Sequence, residues 1–310
     1  MFDSKFMSSV WSAAPTPFKA DGSIDEAAIQ RLADHHFAMG VGGVFIGGTS
    51  GEGPWLPNAM RVQLAKATVK ANAGRIATAF QITDNSAERM IENLKMLADT
   101  GIDIAVIAPP FFALNAKQDY LYDMYAKVID ASPLPIGIYH RKGGAVAVDV
   151  ETVAKLVELP KVVSVKDSSG TPDDGKVLIA ARNALRGKKQ LYVYNGNEFD
   201  CVTPAQMGYD GMMVGGGCFN ARMTKAIFEL AKSGKIDEAK ALQERMNDLM
   251  FDVFGGKEIA CWLAGQKQIM VDLGVFSTNK CIINYQLTPS CAAAIKTAMQ
   301  REKEFIYFKR

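Results

Sequence analysis

The chain repeats one motif along most of its length: a short apolar run, a loop, then an amphipathic stretch. Val44-Phe45-Ile46, Ile76–Ile82, Ile102–Ala108, Leu134–Tyr139, Val162–Lys166, Leu191–Tyr194 and Gly211–Val214 are such runs, and Ser8–Ala14 precedes them. Runs apolar at nearly every position are expected of parallel strands buried on both faces. Between them lie helical patterns, among them Ser86–Asp99, Gln118–Ile129 and Val150–Leu159, the last stopped by Pro160. The first helix is expected to start at a capping box, Ser23-Ile24-Asp25-Glu26. Its core face would carry Ile29, Leu32, Ala33, His36 and Phe37, and Gly40-Val41-Gly42-Gly43 would end it. Eight strands alternating with helices over about 230 residues predict an α/β fold, a (β/α)8 TIM barrel. The rival is an open doubly wound sheet, but no G-x-G-x-x-G follows the first strand.

Beyond the eighth unit the patterns stay helical. Ala239, Leu242, Met246, Leu249 and Met250 keep helical spacing, and Lys257–Leu273 and Ser290–Phe305 read as further helices. The expected division is a barrel domain over residues 1–232 and a C-terminal helical region over 233–310, with Met-rich positions serving packing.

Composition narrows the function classes. A net charge of +2 gives no field that would favour nucleic acid or an anionic membrane. No stretch is long and apolar enough to span a bilayer, and the start lacks a secretory h-region. The five cysteines, Cys201, Cys218, Cys261, Cys281 and Cys291, form no C-x-x-C pair and are odd in number. They are expected as small buried residues in a reducing cytoplasm rather than as a zinc or disulfide framework. His35 and His36 sit on the first helix and receive no catalytic role.

Barrel chemistry is expected at the carboxyl ends of the strands. Lys166 ends the valine-rich run Lys161-Val162-Val163-Ser164-Val165-Lys166. An apolar floor disfavours a charged ammonium, and a neutral amine is a nucleophile able to form a Schiff base with a carbonyl substrate. Alone, the residue reads rather as a solvated strand end, and the rest of the chain reverses that. Tyr139 ends the preceding strand and would face the same mouth, where a phenol can shuttle protons. After strand two, Gly47-Gly48-Thr49-Ser50-Gly51-Glu52-Gly53 puts two hydroxyls in a glycine-rich turn suited to an anion.

In these segments the chain resembles the dihydrodipicolinate synthase / N-acetylneuraminate lyase family of class I aldolases. The likeness rests on Thr16-Pro17-Phe18, Asp21-Gly22-Ser23-Ile24-Asp25, Gly48-Thr49-Ser50-Gly51-Glu52 with Leu56, and Ile138-Tyr139. It continues through Val165-Lys166-Asp167-Ser168-Ser169-Gly170, Asn195-Gly196, Lys267 with Leu273-Gly274, and Leu287-Thr288-Pro289. The resemblance implies that Lys166 condenses with pyruvate or another 2-oxo acid. Thr49 and Ser50, with Gly48, would hold the carboxylate. Tyr139 would move protons through a hydroxyl relay that includes Ser50, and Gly196 would line the pocket. It further implies no metal or organic cofactor, and a homotetramer built as a dimer of dimers.

The acceptor half departs from the family. The lysine-pathway synthases carry an Arg at the position of Gly144 and a Tyr after strand four, where this chain has Pro109-Pro110-Phe111-Phe112. The sialic acid lyases carry an acidic pair where this chain has Asn197-Glu198-Phe199, and Gly215-Gly216-Gly217 is a longer glycine run. The expected function is therefore a Schiff-base lyase, an aldolase or dehydratase, acting on pyruvate or a 2-oxo-3-deoxy sugar acid. 4-Hydroxy-tetrahydrodipicolinate synthesis, a catalytically silent metabolite-binding barrel and a phosphate-binding barrel isomerase remain alternatives. His140-Arg141-Lys142 reads either as a solvated basic loop or as a site for a substrate's acidic end.

Overall fold

The computed structural model describes residues 10–306. Eight parallel strands close into a barrel in chain order. They are β1 (Val10–Ser12), β2 (Gly43–Ile46), β3 (Ala77–Gln81), β4 (Ile104–Ile107), β5 (Ile136–Arg141), β6 (Val162–Ser168), β7 (Tyr192–Asn195) and β8 (Gly211–Val214). The helices α1 (Glu26–Ala38), α2 (Asn58–Asn72), α3 (Ala87–Ala98), α4 (Gln118–Ala131), α5 (Val150–Leu156), α6 (Pro172–Ala184), α7 (Val202–Met207) and α8 (Ala221–Lys232) alternate with them. The chain then runs through α9 (Ile236–Phe254), α10 (Trp262–Asp272), α11 (Pro289–Arg301) and α12 (Lys303–Ile306). The (β/α)8 barrel with C-terminal helices is thus the observed architecture. Ser8 and Ser9 of the expected first strand lie outside the described residues.

Period-two alternation sorts the strand side chains into two cores. The outer core, between sheet and helices, takes Ile136, Ile138, Val162 and Val165. The barrel interior takes Trp11, Phe45, Ala77, Ala79, Ile104, Val106, Tyr194 and Met213. Gly43 leaves room for the Trp11 indole, since a Cβ there would lie 2.4 Å from it.

One irregularity decides where Lys166 points. Ile136 pairs with Val162, but Gly137 pairs with Ser164, so β6 carries one extra residue at this step. Strict alternation from the outward Val162 would turn Lys166 outward too. The bulge at Val163 reverses the parity, so that Val165 and Asp167 face the helices and Lys166 faces the barrel axis.

Three local expectations are corrected. The cap of α1 is Asp25, whose carboxylate accepts the Ala28 N–H at 3.0 Å; Ser23 instead donates to Asp21. A carboxylate one residue before the helix reaches the orphan amide better than a hydroxyl held in the preceding turn. Phe37 is exposed rather than in the core, with the Arg75 guanidinium 5.2 Å from its ring centroid. The segment before α10 forms turns, so that helix starts at Trp262 rather than Lys257.

Candidate active site

The carboxyl ends of β5 and β6 place Tyr139 and Lys166 directly opposite one another in register. Lys166 is buried, with its Nζ 4.6 Å from the centroid of the Tyr139 ring and 5.4 Å from that of Phe45. Phe45 meets Tyr139 edge-on at 5.9 Å. On its other flank Lys166 pairs in register with Tyr194. The amine therefore stands in an aromatic cage on the barrel axis rather than in bulk solvent.

The side chains of Ser168 and Thr49 lie close to the Tyr139 hydroxyl. Burial pushes the phenol up, but the charges of Lys166 and Arg141 and the polar influence of Ser168 and Thr49 outweigh it and hold Tyr139 below the ordinary tyrosine range. Thr49 and Ser50 lie in the turn after β2. Gly53 N–H closes this turn onto the Gly48 carbonyl, and only glycine fits at 53, since a Cβ would come 1.8 Å from the Gly47 oxygen. Among the described residues, the backbone amides of Thr49 and Ser50 donate to no protein acceptor, which leaves them free for an anion. Gly48 backs onto the Phe45 ring, where a Cβ would lie 2.9 Å from it.

Gly196, just past β7, is packed against the lysine itself. A Cβ there would lie 3.0 Å from Lys166 Cε and 2.0 Å from Ser168 Oγ. Lys166, Tyr139, Thr49, Gly48 and Gly196 thus converge on one mouth. Ser50 borders it beside Gly215, its Oγ 3.5 Å from where a Gly215 Cβ would stand.

Two residues were left without a settled role by the sequence. Glu198 is buried, and its Oε2 accepts the Gly216 N–H at 2.6 Å and the Asn220 amide at 3.2 Å. Burial pushes this carboxyl above its usual range, although the two hydrogen bonds and the charge of Lys166 act against it. Its Oε1 lies 3.3 Å from the same Gly215 position that Ser50 approaches. The signal in the sequence is a lone carboxylate three residues past a strand end, too common to single out.

The second is Arg141. The basic triplet divides by strand parity, because β5 runs two residues further than the sequence pattern indicates. His140 points outward and meets Asp174 of α6 at 2.7 Å, and Lys142 meets the same carboxylate at 2.8 Å. Arg141 points inward with Tyr139. It helps line a cavity of about 460 Å³, together with Thr49, Trp55, Gln81, Pro110, Phe111 and Tyr139. Lys166 is not in the wall of this cavity; Tyr139 stands between them as a shared surface, ring against the amine and edge of the cavity at once.

A closed parallel barrel whose mouth gathers a buried lysine, a phenol and an anion-ready turn defines a (β/α)8-barrel lyase. The chain belongs to the dihydrodipicolinate synthetase family, whose family model matches residues 6–282. A 4-hydroxy-tetrahydrodipicolinate synthase from Sphingopyxis alaskensis is 30% identical over 244 residues, covering 76% of this chain and 79% of that protein. A dihydrodipicolinate synthase from Bacillus anthracis superposes with a TM-score of 0.86 at 20% identity, over 97% of this chain and 99% of the other. The enzyme from Acinetobacter baumannii, solved with pyruvate, superposes with a TM-score of 0.81 at 24% identity, over 94% and 97%. At these identities the two structures show the likeness of fold.

Proposed function

We propose that this chain is a Schiff-base lyase in which Lys166 condenses with a 2-oxo acid, pyruvate or a 2-oxo-3-deoxy sugar acid, as an aldolase or dehydratase. The supporting observation is the Lys166–Tyr139 pair: an amine held on a phenol ring whose hydroxyl has the side chains of Thr49 and Ser168 close by. The free amides and hydroxyls of Thr49 and Ser50, on the turn begun by Gly48, receive the carboxylate. The amine adds to C2 of the keto acid, Tyr139 delivers a proton to the departing hydroxyl, and water leaves as the imine forms. The protonated imine draws electrons from C3, which loses a proton or a carbon substituent to give an enamine. Addition of the enamine to an aldehyde, or its reversal, makes or breaks one C–C bond, and hydrolysis returns the lysine. Ser50 joins the proton path, and Gly196 keeps space beside Lys166 Cε.

A second reading is 4-hydroxy-tetrahydrodipicolinate synthesis from pyruvate and aspartate semialdehyde. The name of the Sphingopyxis relative supports it, and Arg141 supplies a cation in the cavity wall. For the assembly we propose a homotetramer, following the family resemblance. The cysteines, free among the described residues, suit a cytoplasmic setting.

Incubation with pyruvate and borohydride, followed by peptide mass mapping, tests the mechanism. A reduced adduct on Lys166 is expected, absent in Lys166→Ala. An adduct elsewhere, or none, would falsify it. Light scattering in solution tests the tetramer; a monomer or dimer mass rejects it.

A further inference from the structure

Two of the five thiols meet among the C-terminal helices, outside the site described above. Cys261 caps α10, and Cys291 lies in the first turn of α11. Thr288, the cap of α11, joins them. Its N–H donates to Cys261 Sγ at 3.5 Å, and its hydroxyl accepts the Cys291 N–H at 3.2 Å. Both cysteines are anchored to the end of α9. Cys291 Sγ donates to the Val253 carbonyl at 3.4 Å, and the Cys261 N–H donates to the Phe254 carbonyl at 2.8 Å. The two thiols lie close together. Glycines keep the space around them clear: a Cβ at Gly255 would lie 2.7 Å from Cys261 Sγ, and one at Gly265 would lie 3.5 Å from Cys291 Sγ.

The pair is also unequal. Burial pushes the Cys261 thiol up, but the Thr288 amide and hydroxyl and the Cys291 thiol outweigh it and hold Cys261 below the ordinary thiol range. Burial, with Cys261 alongside, pushes the Cys291 thiol up to about 12. Burial likewise pushes up Cys201, Cys218 and Cys281. The thiolate is the nucleophile, so Cys261 is set to attack while Cys291 waits beside it as a thiol. We propose that Cys261 and Cys291 form a hydroperoxide-reactive site, closed by a disulfide that fastens the start of α10 to the start of α11. With hydrogen peroxide, the Cys261 thiolate bonds to one oxygen, the O–O bond breaks, and the hydroxide released takes a proton and leaves as water. The Cys291 sulfur then attacks the Cys261 sulfenic acid, the S–O bond breaks, and the thiol proton leaves with the hydroxyl as a second water. Two electrons pass from the sulfurs to the peroxide. The disulfide keeps Cys261 from irreversible oxidation to the sulfinic acid. It also secures α10, whose Lys267 holds Glu52 in the turn after β2 and whose Gln266 donates to the Gly215 carbonyl after β8.

The test treats the reduced full chain with hydrogen peroxide, alkylates the remaining thiols and maps the peptides without reductant. One Cys261–Cys291 disulfide is expected, with a mass loss of about 2 Da that dithiothreitol reverses. Cys261 should react at least about 10-fold faster than Cys201, Cys218 or Cys281. The oxidised protein should melt about 5 °C higher than the reduced one, because the bond closes a long loop. In Cys291→Ser the reaction should stop at a sulfenic acid on Cys261 that dimedone captures. In Cys261→Ser, Cys291 should stay unmodified at the same peroxide dose. The wild-type map decides without either variant. A pair still reduced at a dose that oxidises glutathione, earlier oxidation of Cys201, Cys218 or Cys281, or dimedone on Cys291 instead of Cys261 overturns the proposal. An oxidised form that melts no higher than the reduced one overturns the fastening of α10 to α11.

Discussion

Lys267 of α10 donates to Glu52 in the turn after β2, an ion pair between residues 215 apart in sequence, both side chains fully buried. The lysine also donates to the Lys280 carbonyl at 2.7 Å and lies 4.3 Å from the centroid of the Phe18 ring. The other Glu52 oxygen accepts the Ile282 N–H at 2.6 Å. Glu52 itself is held at φ 58°, a left-handed conformation rare for a side-chain-bearing residue. The C-terminal helices therefore do more than cover the barrel: they fix the turn that presents Thr49 and Ser50.

Breaking this pair one partner at a time should be costly. Lys267→Met leaves a buried carboxylate and Glu52→Gln a buried ammonium, each expected to lower stability by about 3–5 kcal/mol. The double variant should lose much less than the sum of the two. Urea denaturation of the four proteins closes the cycle. The singles should also raise the KM for pyruvate, because Thr49 and Ser50 ride on the same turn. Additive losses would show that the two groups do not meet.

Tyr139→Phe keeps the ring under Lys166 and removes only the hydroxyl. Imine formation with pyruvate should slow by about 10²- to 10⁴-fold, the range for loss of a positioned proton donor. Its phenol is held below the ordinary tyrosine range. Rising pH therefore strips its proton before pH reaches about 10, and wild-type kcat/KM should fall on that alkaline side. Stopped-flow trapping across pH should show this limb in the wild type and lose it in the variant. An unchanged profile would remove Tyr139 from the proton path.

Gly196→Ala tests how tightly the lysine is positioned. The new methyl would evict the Ser168 hydroxyl, 2.0 Å away, from its place beside Tyr139 and press on Lys166 Cε at 3.0 Å. Misplacement of this order is expected to reduce kcat/KM about 10²-fold. Gly196 does not need a positive φ, so the fold should tolerate the change better than the chemistry does. Full activity with an intact melting curve would show that the pocket yields there.

The parts of this site that the sequence revealed were those whose residue type is odd for its place. A lysine closing a valine run and two hydroxyls between glycines stand out without any structure. The inward direction of Lys166 does not, because the bulge at Val163 leaves no mark in a run of apolar residues. Arg141 was ambiguous because the apolar pattern of β5 stops at Tyr139 while the strand continues to Arg141. Only strand parity then separates the inward Arg141 from His140, which binds Asp174 behind the sheet. Glu52 and Lys267 were visible as separate fragments, yet no local pattern couples residues that meet only after the barrel and its C-terminal helices have packed.

The acid side of the stability curve should be set in part by His36. It is buried in α1, and its Nε2 has no hydrogen-bond partner among the described residues. Burial, with the neighbouring His35 charge, pushes it down to about 3. In the unfolded chain it titrates near about 6.5. Between those values the unfolded state holds a proton that the native state refuses, so stability is intact above about pH 6.5 and falls as pH drops toward 3. The slope from this one group approaches about 1.4 kcal/mol per pH unit, or about 2 kcal/mol by pH 5, before most carboxylates protonate. His36→Leu keeps an apolar side chain against Ile29, Leu32 and Leu64 and removes the titration. Urea midpoints measured at half-unit steps from pH 7.5 to 5 should decline less steeply in His36→Leu than in the wild type. Parallel declines would mean that His36 takes up its proton in the folded protein.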